Sequence, residues 1–249
     1  RAASLARVAL VAVWIVVTTL AFLPLFALVA WSRRGRGAAC NLWGKVCGWV
    51  VLEVIMGCPM RVSGWRYLRG PAVFVMNHTS ALDTMIAGVL LPFVTIGVAK
   101  REILYTPLGP LSVLSGTLLI DRKDSAGAVA KMRDTGRELK RAGMGLIIWP
   151  EGTRSTDGRL LAFKKGFAHL AMQMELPVVP IVVRGALEAM PPKVGGLVVH
   201  PRPIEVTVLP PIDTSSWTAD KLPQHIAEVR QCFLRELGQL PDTPQGGRG

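Results

Sequence analysis

A chain of 249 residues has room for one sizeable α/β domain and an appendage. Half of it is hydrophobic, yet its formal net charge is +12, so it reads as a protein held at an anionic surface, the lipid bilayer. Nucleic acid would explain the charge but not the apolar excess, and two Tyr and seven Phe are too few for stacking platforms. Cys40, Cys47, Cys58 and Cys232 form no CxxC and have no His at metal spacing; they read as free thiols in a reducing compartment, with no metal expected.

Val8 to Trp31 carries no charge. As a helix it is about 36 Å long, enough for a hydrocarbon core of about 30 Å. Pro24 is tolerated in such a helix. A signal peptide is the competing reading, since Arg1 and Arg7 precede the run, but the run is longer than a usual apolar core of one. Arg33, Arg34, Arg36 and Lys45 follow and outweigh Arg1 and Arg7, which predicts a cytoplasmic C-terminal side. Leu42 to Gly57 is apolar but short, and Gly44 and Gly48 form a GxxxG suited to close helix contact. A single span and a two-helix re-entrant hairpin both fit. Residues 1–59 are therefore expected to anchor the chain, 60–240 to form the α/β domain, and the Pro/Gly-rich 241–249 to be disordered.

From Met60 on, short apolar runs alternate with helical periods. The predicted strands are Ala72–Met76, Phe93–Ala99, Thr117–Asp121, Gly145–Trp149, Val178–Arg184 and Ile204–Leu209. The predicted helices include Asp124–Arg141, Phe163–Glu175 and Thr218–Leu240. Such alternation predicts a mixed, mainly parallel sheet flanked by helices.

Two constellations carry chemistry. In Asn77-His78-Thr79-Ser80-Ala81-Leu82-Asp83 a histidine stands five residues before a carboxylate, between a strand and a helix. Ser80 is placed to cap that helix, with Asp83 at its third position; Asp83 then closes the helix and reaches back to the imidazole. In Trp149-Pro150-Glu151-Gly152-Thr153-Arg154-Ser155 a strand ends in a polar loop. Arg154 offers a planar fork for phosphate or carboxylate, or else a salt bridge to Glu151, and Gly152 lets backbone N–H groups approach an anion. Lys164 and Lys165 sit where a helix opens, a place that favours an anion. Lys100 and Arg122 follow other strands, where α/β sheets put their ligands. The basic face of Lys131, Arg133, Arg137, Lys140 and Arg141 has no such address and reads as solvated or membrane-facing.

These residues together resemble the lysophosphatidic acid acyltransferase family, the glycerophospholipid acyltransferases with an NHx4D motif. Asn77-His78-x4-Asp83 is similar to the first motif, and Lys100-Arg101-Glu102-Ile103 with Pro107 to the second. Ile120-Asp121-Arg122 resembles the segment before the long helix. Glu151 to Ser155 with Phe163 to Gly166 resembles the third motif, and Leu176 to Ile181 the fourth. One departure is Pro110, where the family usually has Gly. The resemblance implies acyl transfer from acyl-CoA or acyl-carrier protein to the sn-2 hydroxyl of lysophosphatidic acid, giving phosphatidic acid. His78 would be the general base and Asp83 its orienting acid. Arg154 would grip the phosphate with Lys100, Arg122, Gly152 and Thr153; Asn77, Glu151, Lys164 and Lys165 are secondary candidates. It implies no cofactor beyond the thioester co-substrate. Glycerol 3-phosphate or another lysophospholipid is the alternative acceptor. A hydrolase would need a nucleophile, and there is no GxSxG; Ser80 and Ser155 read as cap and loop residues. A non-catalytic binder of anionic lipid is the remaining reading.

Overall fold

The computed structural model describes residues 2–92, 94–105, 109–120, 125–192 and 198–240, and of 125–131 the backbone. Among the described residues, seven strands form one sheet in the order β1-β7-β6-β2-β5-β3-β4. They are β1 (Met60–Ser63), β2 (Val73–Met76), β3 (Thr95–Lys100), β4 (Leu118–Ile120), β5 (Gly145–Ile148), β6 (Val178–Arg184) and β7 (Ile204–Val208). All neighbours are parallel except β6 and β7. The mixed, mainly parallel sheet is therefore as expected. The strand β1 was not foreseen. It lies at the sheet edge with half its residues exposed, and Arg61 and Ser63 interrupt its apolar pattern.

The helices are α1 (Ala2–Leu28), α2 (Arg33–Trp49), α3 (Leu82–Leu90), α4 (Gly109–Leu114), α5 (Ser125–Ala142), α6 (Gly166–Met174), α7 (Ala186–Ala189) and α8 (Leu222–Glu236). Alternation along β2 sorts them into two layers. Phe74 and Met76 point into a core with residues of α2, α3 and α7. Val73 and Val75 point into a second core with residues of α6 and α8. A strand buried on both faces reads as an unbroken apolar run, as Ala72 to Met76 does.

Three expectations are corrected. The second apolar segment is longer than Leu42–Gly57, because Ser32 accepts from the Gly35 N–H (3.0 Å) and starts α2 at Arg33. With the π-helical Val50–Ile55 behind it, the stretch Arg33–Ile55 is long and apolar enough to cross a membrane. Its first arginines are not loose loop charges. Arg33 pairs with Glu138, and Arg34 donates to the Ala142 carbonyl at the C-terminus of α5. The α6 helix starts at Gly166 rather than Phe163, since the Lys164 N–H donates to the Pro150 carbonyl (2.7 Å) and holds the chain in the preceding loop. The α8 helix is shorter than Thr218–Leu240: Pro223 stands in its first turn, and Gly238 at φ +66° lies just past its end. Residues 241–249 lie outside the described residues.

The GxxxG serves the domain. A Cβ on Gly44 would stand 3.1 Å from the Gly88 Cα, and one on Gly48 would stand 2.9 Å from the Met85 carbonyl oxygen. Small residues thus let α2 lie against α3 at backbone distance. On α1, Val8, Val11, Trp14, Ile15 and Phe22 pack on the domain core. Its other side exposes Leu5, Leu10, Val13, Val16, Leu20 and Leu28, each at least 57 % exposed.

Candidate active site

The connection leaving β2 runs through α3 on one face of the sheet to β3, and the connection leaving β5 runs through α6 on the other face to β6. Adjacent parallel strands whose exits part this way leave a crevice at their carboxyl ends, where α/β sheets bind ligands. His78 follows β2 and Glu151 follows β5, so both expected constellations line this one crevice.

Asp83 is fully buried, and its Oδ2 accepts three hydrogen bonds: from His78 Nδ1 (2.8 Å), the Thr79 N–H (2.7 Å) and the Ser80 N–H (2.9 Å). The carboxylate thus closes the start of α3 and fixes the imidazole with one atom. Since a carboxylate only accepts, Nδ1 carries the proton and Nε2 is the free base. Ser80 caps less simply than expected. Its Oγ accepts from the Leu82 N–H (3.3 Å) but donates to the Met190 carbonyl (2.9 Å), and the residue at the cap position is Ala81. Asn77 is buried with both ends of its amide used: Nδ2 donates to the Val183 carbonyl (2.9 Å) and Oδ1 accepts from the Val183 N–H (2.7 Å). It continues the β2–β6 ladder past the strand end and so aims the turn that presents His78.

Glu151 is 2 % exposed and spans the crevice. Its Oε1 accepts from the His78 N–H (2.7 Å) and its Oε2 from the Leu161 N–H (2.9 Å). Burial pushes its pKa up, opposed by those two hydrogen bonds. With both oxygens so used, Glu151 is not the partner of Arg154. The Ser155 N–H donates to the His78 carbonyl (2.8 Å), so the two loops are stitched through the histidine's own backbone. Between these points Thr153 and Arg154 are exposed, and among the described residues Arg154 has no partner. Gly152 has φ +73° as its permissive role requires, but its N–H donates to the Trp149 carbonyl (3.0 Å) and closes a turn. Lys164 and Lys165 are exposed just before α6. Lys100 ends β3 at the level of Asn77, two strands away, about 10 Å across the sheet. Arg122 lies outside the described residues. Of the basic α5 face, Lys140 pairs with Glu175 (2.6 Å), while Arg137 and Arg141 are exposed.

Two features escape sequence reasoning. The Trp149 ring lies 5.2 Å from the His78 ring, and it lines a cavity of about 190 Å³. That cavity runs between α2, α3, α4 and β3, past Trp43, Gly44, Gly88 and Leu111 to Cys40. Its only sign in the sequence is an aromatic residue at the end of a predicted strand. Among the described residues, no three of His, Cys, Asp and Glu are grouped to hold a metal ion.

A family model for acyltransferases matches residues 59–184. The chain is 40 % identical over 198 residues to a 1-acyl-sn-glycerol-3-phosphate acyltransferase of Limnanthes douglasii, covering 79 % of this chain and 69 % of that protein. It is 34 % identical over 249 residues to the enzyme of the same name from Cocos nucifera, covering 98 % and 79 %. It is 31 % identical over 231 residues to the human alpha form, covering 91 % and 80 %. The crystal structure of the 1-acyl-sn-glycerophosphate acyltransferase of Thermotoga maritima has the same fold, with a TM-score of 0.71 at 18 % identity over 96 % of this chain and 99 % of that one. The matched segment holds both loops that meet at His78, and with these relatives it establishes that the chain belongs to the 1-acyl-sn-glycerol-3-phosphate acyltransferase family.

Proposed function

We propose that the protein moves a fatty acyl group from a thioester, acyl-CoA or acyl-carrier protein, to the sn-2 hydroxyl of lysophosphatidic acid, giving phosphatidic acid. The observation that carries this reading is the 2.8 Å bond between His78 Nδ1 and Asp83 Oδ2, which leaves Nε2 as a base at the crevice mouth. Nε2 takes the hydroxyl proton as the alcohol oxygen attacks the thioester carbonyl. Collapse of the tetrahedral intermediate breaks the C–S bond, and the imidazolium returns the proton to the leaving thiolate. Asp83 stabilises the imidazolium in between, as in a hydrolase triad whose nucleophile is the substrate. Arg154, exposed and with no partner among the described residues, is the phosphate grip, and Lys100 and Arg122 are its helpers by the family resemblance.

The cavity beside Trp149 suits the acyl chain: Trp149, one of its walls, lies 5.2 Å ring to ring from His78, and the lining is mostly apolar. Residues 1–59 serve as the anchor. A helix packed on the domain along one side and apolar on the other fits better in one leaflet of the bilayer than across it alone. The net charge of +12 favours the anionic cytoplasmic leaflet.

In a thioester-consumption assay with lysophosphatidic acid, His78→Ala is expected to lose about 10²–10⁴-fold in turnover with the fold intact. Residual turnover near wild type removes His78 as the base. A panel of acceptors resolved by mass spectrometry separates lysophosphatidic acid from glycerol 3-phosphate and other lysophospholipids.

A further inference from the structure

The stretch from Trp149 to Lys165, between β5 and α6, is long for a connection without secondary structure, and such a loop needs outside anchors to hold one shape. It gets them from the C-terminal helix. Arg230 of α8 donates from Nε to the Leu161 carbonyl (3.1 Å) and from a terminal nitrogen to the Leu160 carbonyl (2.9 Å). Gln239, just past α8, accepts from the Leu160 N–H (2.9 Å) and donates to the Gly158 carbonyl (2.8 Å). The Leu161 N–H in turn donates to Glu151, whose other oxygen holds the His78 N–H.

The helix that reaches over is itself fixed. Val229 and Phe233 are fully buried, the Phe233 ring meets Phe163 edge-on at 5.3 Å, and Arg184 at the end of β6 pairs with Glu236 (2.9 Å). A rigid element therefore grips three residues of the loop on the far side of Arg154, and the grip continues through Glu151 to the histidine's backbone. Arg230 and Gln239 lie beyond the 59–184 segment that the family model matches.

We infer that Arg230 and Gln239 are positioning residues: they set the loop so that Arg154 meets the acceptor's phosphate while Glu151 holds His78. This rests on the proposed role of Arg154. Loss of one anchor leaves the loop more conformations than the productive one, so acceptor binding suffers first. A geometric error of about 1 Å at a positioned group is enough for large kinetic effects.

The test uses the full chain in phospholipid vesicles, with kinetics on lysophosphatidic acid, thermal unfolding, and amide hydrogen exchange over residues 150–163. Arg230→Ala and Gln239→Ala are expected to raise KM for the acceptor about tenfold, to lower kcat less, and to speed exchange at Leu160 and Leu161. Arg230→Lys, which retains one carbonyl bond, should recover most of the loss. Val206→Ala, in β7 and buried in the other core, supplies a core variant of comparable stability loss and should leave KM and loop exchange unchanged. In an Arg154→Ala background the Gln239→Ala effect on KM should largely vanish, as expected for residues acting through one group. If Arg154→Ala raises KM while the α8 variants change neither KM nor exchange, or change them only as Val206→Ala does, the inference is overturned. If Arg154→Ala leaves KM unchanged, the phosphate-grip reading fails instead, and loop exchange alone decides the clamp: unchanged exchange in Gln239→Ala overturns it too.

Discussion

In the loop after β2, the three bonds that Asp83 accepts all come from residues 78–80, no more than five positions away. In the loop after β5, the outside anchors come from His78, Arg230 and Gln239, up to 81 positions away. The His78–Asp83 pair takes its geometry from its chain neighbours, although Asn77 and Ser80 tie its loop to Val183 and Met190, whereas the second loop borrows its geometry from the rest of the fold. The difference suits the two jobs. A general base needs one tautomer and one orientation, which a buried neighbour supplies. An arm that meets a mobile lipid headgroup must stay exposed, so its rigidity has to come from behind.

The sharpest way to break the comparison is at Asp83. Asp83→Ala removes the acceptor of two buried backbone N–H groups and of the imidazole at once. Turnover is expected to fall about 10³–10⁴-fold. Stability should fall by about 1–3 kcal/mol for each N–H left unpaired. Asp83→Asn is milder. Because one oxygen accepts all three bonds, an asparagine oxygen can take its place and keep the His78 tautomer. What disappears is the negative charge facing the imidazolium, so turnover should fall about 10²-fold. Equal losses in the two variants, measured with matched donor and acceptor concentrations, would contradict the division between orientation and charge.

Glu151 joins the two loops and gives the next largest effect. In Glu151→Gln the amide nitrogen cannot accept, so either the His78 or the Leu161 N–H loses its partner. An expected loss in kcat/KM of about 10- to 100-fold follows. The pH dependence has a definite sign. Burial holds the Glu151 pKa above the ordinary carboxylate value in the folded protein, so the folded state keeps that proton to higher pH than the unfolded chain. The stability from this group is complete below the ordinary value and is lost as pH rises through the raised one. Glu151→Gln has no such proton. Its stability deficit relative to wild type should therefore shrink as pH rises through that window, as read by denaturant unfolding at a series of pH values. A deficit that grows with pH would mean that the carboxylate is stabilised rather than penalised by its site.

How far the sequence discloses each loop follows the same division. His78, Asp83 and the closing of α3 are legible because their partners lie within one turn of chain and obey helix-start rules. The strand ends that carry them are legible from apolar runs. Arg154 is legible as an exposed basic residue in a loop, and Glu151 only as a candidate. Its actual task depends on Leu161 and on a backbone N–H contributed by the other loop, neither of which has a side-chain signature. Arg230 and Gln239 look like ordinary surface residues of a terminal helix, since bonds to backbone carbonyls leave no trace in residue type. The GxxxG shows the same limit. Its small residues are visible, but their partner, α3 rather than another membrane helix, is a matter of tertiary packing.

The smallest expected effect tests whether the His78–Asp83 pair is as self-contained as the three bonds to Asp83 suggest. Gly88 lies at the far end of α3 from Asp83 and lines the cavity beside Trp149. A Cβ there would stand 3.2 Å from the Gly44 Cα and carbonyl oxygen, so Gly88→Ala must move α2 and α3 apart by a few tenths of an ångström. Strain at the contact costs about 1 kcal/mol or more, and alanine returns about 1 kcal/mol of helix propensity, so unfolding should barely shift. The cavity wall, however, gains a methyl group and changes spacing. With a series of acyl donors, kcat/KM should fall for the longer chains relative to the shorter by about tenfold, the lower end of the range typical of one methylene in an apolar pocket. The pH profile should not change, because the three bonds to Asp83 Oδ2 are made about a turn and a half of helix away. A shifted profile with an unchanged chain preference would reverse the assignment: α3 would then transmit strain to the base, and the cavity would not be the place of the acyl chain.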